Sequence, residues 1–86
     1  MKVYAKVFAT LVRQVSGLDR YPEGVRSATL LPVELPDGST INDLIAALGL
    51  PEEQVKVVFV NGRSQAFGHR LAPGDEVGIF PAVGGG

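Results

Sequence analysis

The sequence predicts an α+β domain of two layers, a mixed β-sheet with one main helix packed on one of its faces. Three observations carry this. Residues 2–8 alternate with the period of a half-buried strand. Ile41, Leu44, Ile45 and Leu48 recur at the spacing of a single helical stripe. Residues 55–60 are rich in β-branched side chains and end on Asn61-Gly62, the strongest short signal for a hairpin.

The elements follow in order. In residues 2–8, Val3, Ala5 and Val7 share one face, and Lys2, Tyr4, Lys6 and Phe8 the other. Residues 9–15 are read as a short helix that Gly17 stops. The polar stretch 13–27, with Gly17, Asp19, Arg20, Pro22 and Gly24, reads as an extended loop. Residues 28–35 form a second strand with Leu31, Val33 and Leu35 on one face. Pro32 has no N–H for a ladder bond, which places this strand at an edge or on a bulge.

Pro36-Asp37-Gly38 is a turn, because Pro presets φ and Gly accepts a positive one. Ser39 or Thr40 then caps the helix, and Thr40 with Asp43 makes a capping box, of a weaker form than one closed by Glu. Gly49 suits the left-handed position that ends a helix, and Pro51 prevents continuation. After the strand at 55–60 and its Asn-Gly turn, residues 63–67 form a short return strand. Pro73-Gly74 turns the chain again, and residues 76–80 make the last strand, with Gly78 inside it. This order matches a ubiquitin-like β-grasp, with the first and last strands as central neighbours. The expected division is a β-grasp body over residues 1–80 and a flexible glycine-rich tail over 81–86.

Composition bounds the chemistry. A chain of 86 residues buries about 60–65% of its unfolded surface. That is one small core, with little room for a deep substrate cavity. The absence of Cys excludes disulfides, thiolate metal sites and a cysteine nucleophile. Eight basic against nine acidic residues leave no footprint for nucleic acid. No apolar run approaches the ~20 residues of a membrane span, and no signal peptide is visible, so the expected location is cytoplasmic.

The usual catalytic constellations fail in turn. His69 is the single His and sits in a loop, which suits a surface hydrogen-bonding role better than a triad or a metal site. Glu52-Glu53 and Asp75-Glu76 are neighbours in sequence and point in different directions, so they read as solvated loop charge. The terminal glycines lack the following helix that a dinucleotide-binding loop requires. Phe8, Phe59, Phe67, Tyr4 and Tyr21 read mainly as core. Phe80 differs because it immediately precedes the tail, where an outward ring can anchor a partner.

What remains is the tail Pro81-Ala82-Val83-Gly84-Gly85-Gly86. Its plain reading is a frayed terminus. Its functional reading rests on sterics. Gly has no Cβ and can thread a channel that excludes side chains. Six extended residues reach roughly 20 Å, which can carry the α-carboxylate of Gly86 into another protein. Such a carboxylate becomes attackable once it is activated as an acyl phosphate or adenylate. This chain shows no nucleotide site, so a partner must do the activating.

The C-terminal segment resembles the MoaD/ThiS family of ubiquitin-like sulfur carriers, most closely the small subunit of molybdopterin synthase. The resemblance is carried by Gly74-Asp75-Glu76-Val77, Phe80-Pro81, Val83 and Gly85-Gly86, supported by Phe8-Ala9 and Asn61-Gly62. It implies that an adenylating enzyme of the ubiquitin-activating type uses ATP to make a Gly86 adenylate. A persulfide-bearing donor then leaves a thiocarboxylate on Gly86. The large synthase subunit takes up the tail, and sulfur passes to a pterin precursor in molybdenum or tungsten cofactor synthesis. The resemblance implies no cofactor bound by this chain, no metal, and no activity of its own. Gly86 is then the reacting site, Gly85, Gly84, Val83 and Pro81 the channel-threading residues, and Phe80 the partner contact. The alternatives are a ThiS-type carrier for thiamine thiazole synthesis, a ubiquitin-like modifier joined to lysines through Gly86, and a plain adaptor. Ala82 departs from a family pattern that often has a second proline there, and the 13–27 loop is longer than a compact carrier needs.

Overall fold

The computed structural model describes residues 1–15 and 29–82. The tail residues Val83, Gly84, Gly85 and Gly86 and most of the 13–27 loop lie outside the described residues. Five strands form one sheet: β1 (Lys2–Val7), β2 (Leu30–Glu34), β3 (Val55–Val60), β4 (Arg63–Gln65) and β5 (Glu76–Pro81), in the order β2-β1-β5-β3-β4. β1 and β5 are parallel neighbours near its centre, and the other pairs are antiparallel. One helix, α1 (Ile41–Ala47), covers one face. This is the ubiquitin-like β-grasp that the element order predicts.

The core lies between sheet and helix. Val3, Ala5 and Val7 of β1 are fully buried, as are Val77 and Ile79 of β5. Ile41, Leu44, Ile45 and Leu48 meet them from the helix. Period 2 in the strands and period 3.6 in α1 thus aim their apolar stripes into one space.

Local chemistry explains the ends of α1. The Thr40 hydroxyl accepts the Asp43 N–H at 3.3 Å, and the Thr40 N–H donates to Asp43 Oδ2 at 2.8 Å, so the capping box is complete. Two further N–H groups, of Ile41 and Asn42, donate to the carbonyls of His69 and Phe67 at 3.1 and 3.0 Å. The donors left over at a helix start are therefore used within the fold. At the other end Gly49 has φ 71°, its N–H reaches Ala46 O, and the Leu50 N–H reaches Ile45 O, both at 3.0 Å. That is a Schellman motif, and it turns Leu50 back into the core.

Pro32 lies in β2, an edge strand, where a missing N–H costs no ladder bond. Asn61 and Gly62 have φ 51° and 85°, the two positive values of a type I′ turn. The Asn61 side chain also ties this turn to the start of β5. Its Nδ2 donates to Asp75 Oδ1 at 2.9 Å, and its Oδ1 accepts the Glu76 N–H at 3.0 Å.

Some details differ from the sequence reading, among them the short return strand, expected over residues 63–67, which ends at Gln65. Residues Ala9–Gln14 form a 3₁₀ helix, begun without a side-chain cap and with Ala9 at φ 53°, and Val15 beyond it is buried. A second 3₁₀ turn, Glu52–Gln54, leads into β3. β5 takes in Pro81, which the sequence reading assigned to the tail. No helix among the described residues is long and apolar enough to cross a membrane.

Candidate functional site

The sheet face turned away from α1 carries the candidate site. Residues that alternate with the buried ones project there: Lys6 and Phe8 from the β1 side, Glu76, Gly78 and Phe80 from β5, and Phe59 from β3. The parallel pairing of β1 with β5 and the antiparallel pairing of β3 with β5 set these residues side by side. The Phe8 and Phe80 rings stack at 4.2 Å between centroids with their planes 7° apart. Phe59 meets Phe80 edge-on at 5.6 Å and 84°.

Gly78 makes room for this cluster. A Cβ built on it would lie 3.3 Å from Phe80 Cε1 and 3.7 Å from Phe8 Cε2. Ring edges occupy the space that a side chain at Gly78 would take. The rings, Gly78 and the hairpin residues Asn61 and Gly62 line a depression of about 370 Å³. Lys6 and Glu76 stand at its edge, with Nζ 3.8 Å from Oε1 and side chains 39% and 54% exposed. An ion pair this exposed adds little stability, and it gives the aromatic face a polar border.

Phe80 thus points outward, beside the tail, and is half-buried by its neighbours. Phe8 and Phe59, which the sequence reading placed mainly in the core, belong to the same outer cluster. The available signal was phase: Phe8 falls in step with Lys2, Tyr4 and Lys6, and Phe59 lies between the buried Val58 and Val60. Phe67 does pack against the core. His69 contributes its main-chain carbonyl to the start of α1. Among the described residues no group of three or more His, Cys, Asp or Glu is placed to hold a metal ion.

Beyond Phe80 the chain stays attached for two residues. Pro81 pairs with Val55 across β5 and β3, and the Ala82 N–H donates to Gln54 O at 3.0 Å. The described residues end at Ala82, two positions beyond Phe80 of the aromatic cluster.

Known proteins share this architecture. SAMP1 from Haloferax volcanii superposes with a TM-score of 0.66 at 25% identity, over 100% of both chains. A second structure, H. volcanii small archaeal modifier protein 1, gives 0.67 at 24% identity over 95% of this chain and 98% of that one, a likeness of fold. A putative molybdopterin converting factor, subunit 1, from Pyrococcus furiosus gives 0.66 at 32% identity, over 96% of this chain and 99% of that one. A comparison with the curated proteins finds no match. The model of the ThiS family aligns with residues 20–86, a span that holds α1, the four strands β2, β3, β4 and β5, and the terminal glycines. That span is most of the chain, and the chain belongs to the ThiS family of ubiquitin-like proteins.

Proposed function

We propose that this chain is a sulfur carrier whose reactive group is the carboxylate of Gly86, and that it serves a pterin precursor in molybdopterin synthesis. The observation that carries the reading is the end of β5. An outward aromatic cluster stands beside the strand that leads to Gly84-Gly85-Gly86. The similarity to a putative molybdopterin converting factor subunit favours the pterin acceptor.

The chemistry follows from the carboxylate. An adenylating partner lets a Gly86 oxygen attack the α-phosphorus of ATP, which breaks the α–β anhydride and releases pyrophosphate. A persulfide on a donor protein attacks the acyl carbon and displaces AMP. A thiol then cleaves the resulting acyl disulfide, leaving a thiocarboxylate on Gly86 and a disulfide on the donor side. The large synthase subunit receives the tail, with Phe80 seated on its surface and Pro81, Val83, Gly84 and Gly85 leading into its channel. The carrier contributes no catalytic side chain. Its part is to present the acyl group in a form that fits, because glycines without Cβ atoms let the partner's backbone come close.

Intact mass of protein from its native host tests this. A fraction should carry sulfur in place of one carboxylate oxygen, and alkylation at that sulfur should map to Gly86. One residue added after Gly86 should abolish sulfur delivery to the pterin. Undiminished delivery would end the reading.

The likeness to SAMP1 favours a second reading, a modifier conjugated to lysines through Gly86. Blots of denatured lysate separate the two. Higher-mass species that resist reductant point to conjugation. A ThiS-type carrier for thiazole synthesis is separated by testing which acceptor takes the sulfur.

A further inference from the structure

The turn between β3 and β4 carries a chemically reactive pair. Asn61 is followed by Gly62, both are exposed, and a Cβ built on Gly62 would meet nothing within 4 Å. The main-chain nitrogen of a glycine is the least hindered, because no Cβ shields it. In an unfolded chain the Gly62 nitrogen gives its proton to water and attacks Asn61 Cγ. The Cγ–Nδ2 bond breaks, ammonia leaves, and a five-membered succinimide remains. Water then opens the ring. Attack at Cγ gives Asp, and attack at the main-chain carbonyl gives isoaspartate, whose main chain runs through the side-chain carbons. The other Asn of the chain, Asn42, lies in α1 and precedes Asp43, whose N–H donates to the Thr40 hydroxyl at 3.3 Å.

In the folded chain the Asn61 amide is turned away from Gly62. The order β5-β3-β4 places β3 between its two neighbours. Gly62 leads into β4, whereas the Asn61 side chain reaches to the start of β5. Its Nδ2 donates to Asp75 Oδ1 at 2.9 Å, and its Oδ1 accepts the Glu76 N–H at 3.0 Å. Asp75 is itself held: its Oδ2 accepts the Ala72 N–H and its carbonyl accepts the Tyr4 N–H, both at 2.8 Å. Closing the succinimide requires both side-chain bonds of Asn61 to break.

We propose that Asn61 is a site of spontaneous deamidation that Asp75 and the Glu76 N–H keep latent in the folded chain. The site sits on the rim of the aromatic depression, two residues beyond Phe59. Conversion is one-way. A carboxylate at position 61 has no N–H to donate and faces Asp75 Oδ1 at hydrogen-bond distance, where like charges repel. Isoaspartate lengthens the main chain of a two-residue turn whose length sets the hairpin register. Either product loosens β3 from β5 close to where Phe59 meets Phe80. Asp75 is a positioning residue here, and nothing in this depends on what happens at Gly86.

The full chain and a synthetic peptide of residues 57–63 are incubated side by side at mildly alkaline pH. Trypsin releases the same fragment from the chain by cutting after Lys56 and Arg63, and mass spectrometry reads the replacement of NH₂ by OH. The folded chain should react roughly thirtyfold more slowly than the peptide, the factor that two net hydrogen bonds supply. Asp75→Ala removes one of the two and should speed the folded chain about fivefold. Asp75→Asn, with a rise of about twofold, serves where circular dichroism shows that Asp75→Ala does not fold. Thr40→Ala weakens the cap of α1 without touching Asn61 and should leave the rate unchanged, because the reaction proceeds by local release. A folded chain that deamidates as fast as the peptide overturns the protection. Asp75 variants no faster than the unaltered chain, or Thr40→Ala accelerated as much as they are, overturn the role of Asp75.

Discussion

Replacing Phe80 by Ala probes both the stability and the docking role of the outer face. Full truncation of a buried Phe costs about 3–5 kcal/mol, and Phe80 is half-buried, so a loss of about 2 kcal/mol is expected. Its two ring contacts, stacked on Phe8 and edge-on to Phe59, account for much of this at about 0.5–1.5 kcal/mol each. A loss of that size lowers Tm by about 8–16 °C in a domain of this size. The specific claim is the coupling. Phe8→Ala, Phe80→Ala and the double variant form a cycle by urea unfolding, with an expected interaction energy of about 1 kcal/mol. An interaction energy below about 0.3 kcal/mol, the range of independent sites, would refute a preformed aromatic cluster. Phe80→Leu gives the functional arm, since it keeps the site apolar at modest cost in stability. Weaker association with the large synthase subunit by isothermal titration is expected, with the fold unchanged by circular dichroism.

Other predictions concern the devices that hold this face in place. Thr40→Ala removes one half of the capping box and should cost about 1 kcal/mol in denaturant unfolding. Asn61→Ala loses two side-chain hydrogen bonds and the tolerance that Asn has for a left-handed φ of 51°, for about 2–3 kcal/mol. Asn61→Gly, free of the backbone strain, should cost about 1 kcal/mol less than Asn61→Ala in the same titration. Ala9→Gly relieves a left-handed alanine and, after the larger unfolded-state entropy of Gly, should raise stability by about 0.5 kcal/mol in a thermal melt.

The division of labour on the sheet follows from its layering. One face is committed to α1 and carries the hydrophobic core. On the other, the rings of Phe8, Phe59 and Phe80 cover one another around Gly78. A large side chain at Gly78 would force the rings apart, so the smallest residue in β5 is what lets the aromatic face stay flat and continuous.

Much of this was readable from residue order. The capping box at Thr40 and Asp43, the Schellman end at Gly49 and the type I′ turn at Asn61-Gly62 each depend on a few neighbouring residues. Their physics is local, and the residue types state it. Pro32 likewise narrowed its strand to an edge or a bulge, because a missing N–H removes a ladder bond from the middle of a sheet. The first 3₁₀ turn was less legible as such: a stretch of six residues is too short for periodicity to separate one helix type from another.

The sequence by itself determined which segments are strands, helix and turns, and which strand face is apolar. Tertiary structure decided which of their residues lie side by side. Phe8, Phe59 and Phe80 meet because β1 and β3 flank β5, and the Ala82 N–H finds Gln54 O because β3 starts opposite the end of β5. Both contacts depend on pairings between distant parts of the chain, and a strand's alternation names the face of a residue without naming its neighbour across the sheet.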